Sequence, residues 1–128
     1  MVSIKQIDKE GKTLLVIDYS NCKEAEMLSG EAELKERILQ INKPILLISV
    51  FNDQAYVTPT FMRTAERDNV ELSHLLEKQA VVGLNPIKKM ILKGFNLLMR
   101  RNVRNFESVE EAMEFLLDST TTDRDFKD

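Results

Sequence analysis

The chain has 128 residues, 43% hydrophobic and 30% charged, with eighteen basic against twenty-one acidic side chains for a formal charge of -3. That size suits one ordinary core, the composition lies far from that of disordered chains, and the charge gives no global field drawing the molecule onto nucleic acid or an anionic membrane. The longest apolar run, Pro44 to Val50, falls well short of the roughly 20 residues that a bilayer-spanning helix needs.

Ile4, Gln6 and Asp8 alternate with Lys5, Ile7 and Lys9, and Glu10-Gly11 turns the chain into the apolar run Leu14 to Ile17. This predicts a β-hairpin of an edge strand and an inner strand. Asp18-Tyr19-Ser20-Asn21 stops the strand, and Cys22 to Ile41 reads as a helix whose stripe Ala25, Leu28, Ala32 and Leu39 packs on the sheet. Asn42-Lys43-Pro44 ends that helix, and Ile45 to Phe51, nearly all apolar, is the predicted central strand. Thr58-Pro59, a cap followed by proline, opens a helix to about Asp68, and Glu71 to Glu77 is a shorter helical stretch. Gln79 to Val82 is another buried strand, Gly83 turns the chain, and Asn85-Pro86 repeats the cap-proline device to open a helix reaching about Arg101. Val103 to Phe106 is a last short strand. Ser108 with Glu111 has capping-box spacing, opening a helix over Val109 to Leu117 that buries Val109, Ala112, Met113 and Leu116.

Residues 1-118 form a single domain in this reading, and 119-128, polar and without periodicity, a mobile tail. A hairpin followed by helix-strand alternation implies the α/β class: a mixed, mostly parallel sheet of about five strands with about four helices packed on it.

Five stretches together resemble the SpoIIAA-like family, related in fold to STAS domains and to lipid-binding CRAL-TRIO domains. They are Asp18-Tyr19-Ser20-Asn21-Cys22, Leu46-Leu47-Ile48-Ser49-Val50, Ala80-Val81-Val82-Gly83-Leu84, Phe106, and Glu110-Glu111-Ala112 with Leu116. The resemblance spans Leu14 to Leu117 and implies a STAS-like regulatory or interaction module. One feature of that family is missing: STAS antagonists carry a phosphorylatable serine after a central strand, where this chain has Asn52-Asp53-Gln54-Ala55. Thr58 and Thr60 stand nearby, with Thr58 the natural helix cap.

The chemistry-bearing residues are sparse. His74 is the single histidine and has no second ligand beside it in sequence, so no metal site is expected. Cys22, the single cysteine, cannot close an internal disulfide, and the start Met1 to Lys5 has no apolar signal core; the expected location is cytoplasmic. No nucleophile set and no cofactor motif is present, so the expectation is a non-enzyme with no cofactor and no catalytic residues. Asp18 and Asp53 are predicted at the carboxyl ends of neighbouring strands, where ligands bind in open α/β sheets; capping is their simpler role. Gly83 before a helix resembles half of a phosphate loop, but Pro86 removes one amide.

The helix from Asn85 to Arg101 carries Lys88, Lys89, Lys93, Arg100 and Arg101 and no acidic residue. Ile87, Met90, Ile91, Gly94, Leu97 and Leu98 make its predicted core face, and Leu92, Phe95 and Met99 widen the apolar stripe beyond an ordinary one. A basic helix with surplus apolar surface suits a small apolar or lipid-like ligand, peripheral membrane contact, a protein partner or a homodimer contact, but not nucleic acid, since no aromatic platform accompanies the charges. Two candidate surfaces result. The partner surface runs through the loop Asn52 to Thr58, with Asn52, Asp53 and Thr58, and the adjacent helix at Phe61; the ligand surface runs through Lys88, Leu92, Phe95 and Met99, and Asp18 is a further ligand or partner candidate at its strand end.

Overall fold

A computed structural model describes residues 1–124. Strands β1 (Ser3–Lys9) and β2 (Lys12–Asp18) pair antiparallel, with Lys9 opposite Lys12, through a two-residue turn in which Glu10 and Gly11 both have positive φ. That is the primed turn whose twist suits a tight hairpin. Helix α1 (Glu24–Ile41) follows, then β3 (Ile45–Val50), α2 (Pro59–Glu71), a 3-10 turn (Ser73–Leu75), β4 (Leu76–Val82), α3 (Pro86–Met99), β5 (Arg104–Phe106) and α4 (Val109–Leu117). The sheet has the order β1-β2-β3-β4-β5, with every pair after the first parallel. The expected mixed sheet, its opening hairpin and its four helices are all present.

Leu14, Leu15, Val16 and Ile17 are all buried, because β2 is covered on both faces. Leu15, Ile17 and Leu47 pack against Met27, Leu34 and Ile38 of α1 and Phe61 of α2. Leu14, Val16, Leu46, Ile48, Ala80 and Val82 pack on the other side against Ala112, Phe115 and Leu116 of α4. Each fully buried aliphatic side chain contributes about 1.5–3 kcal/mol, which makes these two layers the main source of stability.

Local signals place the helices. Thr58 Oγ1 accepts from Phe61 N, Asn85 Oδ1 from Lys88 N and Ser108 Oγ from Glu111 N, and proline stands at the start of α2 and α3. At Gly83, φ is 84° and an added Cβ would lie 2.2 Å from Phe51 O, so only glycine fits where β4 leaves the sheet.

Four sequence expectations need correction. The helical stretch over Glu71 to Glu77 is instead the end of α2, a 3-10 turn and the start of β4 at Leu76. Polar Glu77 and Lys78 masked that strand start, although Lys78 is buried and its Nζ donates to Phe115 O at 2.6 Å. On α1, Ala32 and Ala25 face solvent and Leu39 is 50% exposed, while Met27, Gly30, Glu31, Leu34 and Ile38 form the buried stripe. Glu31 on that stripe hid it.

The core face of α3 is inverted. Lys88 and Phe95 are buried and Ile91, Leu92 and Met99 half-buried, while Ile87 (72%), Met90 (75%), Leu97 (58%) and Leu98 (61%) are exposed. Finally, the segment predicted as a mobile tail folds back over residues 119–124. Asp123 is wholly buried, pairing with Arg101 Nη1 at 3.0 Å, and Arg124 Nη2 donates to Leu76 O at 2.6 Å. Residues 125–128 of that predicted tail lie outside the described residues.

Candidate ligand-binding site

Right-handed crossovers carry α1, α2 and α3 to the same face of the sheet. Between α2, α3 and the strands β3 and β4 they leave a cavity of about 100 Å³. Leu47 and Ser49 of β3 and Gln79 and Val81 of β4 form its floor, in register as Leu47 opposite Gln79 and Ser49 opposite Val81. Phe61, Met62 and Ala65 of α2 and Ile91, Leu92 and Phe95 of α3 form its walls. Met62, Ala65, Val81, Ile91 and Leu92 are only half-buried, so the cavity reaches solvent. A concave, mainly apolar space with a few convergent polar groups is the usual form of a small-molecule site.

Its polar groups come from three elements. Tyr19, at the end of β2, stacks on Phe51 and meets Phe61 edge-on, both with ring centroids at 5.3 Å. Its hydroxyl donates to Glu31 Oε1 at 3.0 Å. Glu31 of α1 and Asp68 of α2 are 8% and 3% exposed, and both line the cavity. Burial and the neighbouring Asp68 raise the Glu31 carboxyl to about 8, while the Tyr19 hydroxyl pulls it the other way. Burial, and then the Glu31 charge, push the Tyr19 phenol well above its ordinary range. Asn69 and Gln79 are joined by side-chain hydrogen bonds of 3.0 and 3.4 Å.

The predicted ligand residues Lys88, Leu92 and Phe95 line this cavity, and so does Phe61 from the predicted partner surface. Lys88 sits at the carboxyl end of the sheet with Nζ 3.4 Å from Asp53 O. Met99 is half-buried and lies outside the lining. The remaining candidates serve the backbone around the cavity. Asp18 Oδ1 accepts from Ser20 N at 2.9 Å, and Asp53 Oδ1 accepts from Asn85 Nδ2 at 3.2 Å. Asn52 is joined to Asn21 by two hydrogen bonds, and Thr58 caps α2. Cys22 is buried after β2, at the opposite end of the parallel strands from His74 in the 3-10 turn before β4.

Sequence reasoning missed Tyr19, Glu31, Asp68, Asn69 and Gln79 as site residues. A signal did exist. Glu31 stands four residues after Met27 and three before Leu34, and Asp68 stands seven after Phe61 and four before Leu72, so each is an acid inside an apolar helical stripe.

No family model matches the chain, and no curated protein matches it. A solved structure does: an uncharacterized protein of the DUF3478 family with a SpoIIAA-like fold, from Shewanella loihica PV-4, superimposes with a TM-score of 0.62 at 10% identity, covering 90% of this chain and 93% of that one. The fold is SpoIIAA-like. At that identity the likeness speaks for the architecture, and the residues of the site carry everything further.

Proposed function

We propose that this SpoIIAA-like protein is a non-catalytic carrier or sensor of a small apolar or amphiphilic molecule held in the cavity beneath α3. The observation that carries this reading is the solvent-reaching apolar cavity roofed by Ile91, Leu92 and Phe95. A regulatory module acting through residues 52–58 has less support, because Asn52, Asp53 and Thr58 are engaged in hydrogen bonds within the chain. The test is titration with the uncharged fluorescent probe N-phenyl-1-naphthylamine. Saturable binding to the full chain, lost when Leu92→Trp fills the cavity, is the expected result. No binding by the wild type, or equal binding by the filled variant, refutes the reading.

A second reading concerns the outer face of α3. Ile87, Met90, Leu97 and Leu98 are exposed side by side, Lys89 and Lys93 stand exposed on the same helix, and no acidic residue interrupts it. That combination suits an interfacial helix on an anionic lipid surface, from which an amphiphile would be loaded. Sedimentation with vesicles containing anionic lipid tests it, and equal recovery with purely zwitterionic vesicles counts against it.

A further inference from the structure

Among the described residues three cationic side chains are buried: Lys78, Lys88 and Arg101. A buried charge is costly unless it is paired or fully hydrogen-bonded. Lys78 Nζ meets that condition, donating to Phe115 O at 2.6 Å, Asp118 O at 3.0 Å and Thr121 Oγ1, with the centre of the Phe115 ring 4.3 Å away. Arg101 meets it through Asp123 at 3.0 Å and Leu76 O at 2.8 Å. Lys88 lacks such partners. It is only 9% exposed, yet its ammonium, with three protons to donate, makes a single long contact of 3.4 Å, to Asp53 O, among the described residues. No carboxylate among them pairs with it, and the Asp53 carboxylate accepts from Asn85 Nδ2 instead. Nor does the charge serve its own helix, since Lys88 lies in the first turn of α3, where a cation opposes the helix dipole.

We propose that Lys88 anchors the head group of the bound molecule, and that this molecule is an amphiphile ending in an anion such as a carboxylate. The inference rests on the reading of the cavity as a ligand site. Lys88 lines that cavity together with Phe51, Val57 and Leu84, all half-buried at the carboxyl ends of the strands. A head group bonded to Lys88 therefore stays near water, while the tail runs inward between Phe61, Leu92 and Phe95. The acids of the cavity lie away from this end. Asp68 stands nine residues beyond Pro59, about 13 Å down α2, and Lys35 and Arg67 are each 3.6 Å from its Oδ1. An anion on Lys88 gains a charge-assisted hydrogen bond and offsets a cation set against the dipole of α3. An alcohol offers only a neutral acceptor there, and an ammonium meets like charge.

The experiment titrates hexanoate, 1-hexanol and acetate separately into the full chain at pH 7 and low salt, following amide shifts of the cavity residues by NMR. In an apolar cavity without a cation the alcohol binds better, because a carboxylate sheds more hydration. Hexanoate is nevertheless expected to bind about fivefold or more tighter than 1-hexanol, and acetate, which has the charge without the tail, far more weakly than hexanoate. Lys88→Met should reverse the order of hexanoate and 1-hexanol, and Lys88→Arg should keep it. If 1-hexanol binds as tightly as hexanoate, or Lys88→Met keeps the wild-type order, the anchor is overturned and the cavity reading stands. Acetate binding as tightly as hexanoate overturns the assignment of an amphiphile. Neither hexanoate nor 1-hexanol shifting the cavity residues overturns both the anchor and the cavity reading. If Lys88→Met fails to fold, the wild-type order alone decides.

Discussion

The Tyr19 hydroxyl donates to Glu31 Oε1 at 3.0 Å, tying the end of β2 to the middle of α1 inside the core. The carboxyl it reaches is held to about 8, against an ordinary value of 4.5. A raised acid binds its proton more tightly folded than unfolded, so its stabilising contribution is complete below about 4.5 and is lost as pH rises through about 8. Asp68, Lys35, Arg67 and Tyr19 share that environment. Denaturation of the wild type and of Glu31→Gln at pH 5 and pH 8.5 should therefore show the wild type losing ground by an amount on the order of a few kcal/mol. Parallel pH curves for the two proteins would show that Glu31 does not titrate there.

Gly83→Ala places a Cβ against Phe51 O at a backbone angle that L residues rarely adopt. The expected loss is about 2 kcal/mol or more, visible as a lower Tm, and it should arise without any change in probe binding by the folded protein.

Arg101 and Asp123 are a buried ion pair at 3.0 Å, and Arg101 also donates to Leu76 O at 2.8 Å. Burial lowers the arginine and raises the aspartate from their usual ranges, a sign of how much hydration both have given up. Asp123→Ala leaves a buried guanidinium uncompensated and should cost about 3–5 kcal/mol in chemical denaturation. Substituting exposed Asp118 should have a much smaller effect.

Leu92→Trp adds volume where α3 roofs the cavity. Its half-buried position lets the ring fill open space without crowding the sheet, so the Tm should stay within a few degrees of wild type while probe binding disappears.

Ile87→Glu with Met90→Glu, on the exposed face of α3, should leave probe binding intact and reduce recovery on anionic vesicles severalfold. Raising the salt concentration should have the same sign of effect on the wild type, through screening of Lys89 and Lys93.

The strand and helix order was legible because its signals are local. Leu14 to Ile17 and Ile45 to Val50 are apolar on both faces, and Thr58-Pro59, Asn85-Pro86 and Ser108 cap the helices that follow them. The faces of α1 and α3 were not legible. On α1 a buried glutamate stands among the core residues, and its burial depends on Tyr19 and Asp68, which lie far away in sequence. On α3 apolar residues occupy both sides, so periodicity cannot say which side meets the sheet; the buried Lys88 and its contact with Asp53 O decide it. The folded segment 119–124 escaped for a similar reason, since Asp123 gains its place from Arg101 and the amides of Gln79 and Asn102, all distant in sequence.

The strands lie side by side in the order in which the chain makes them, and that has a bearing on where a small molecule can go. Open α/β sheets usually receive ligands where successive connections diverge to opposite sides and a gap opens between their loops. Here the three parallel connections through α1, α2 and α3 all return over one side, so no such fork forms between them, and Asp18 and Asp53 hydrogen-bond Ser20 N and Asn85 Nδ2 instead. The one space of note lies further in, between α2, α3 and the strands beneath them, so its size is set by how closely the α3 side chains Ile91, Leu92 and Phe95 pack on β3 and β4.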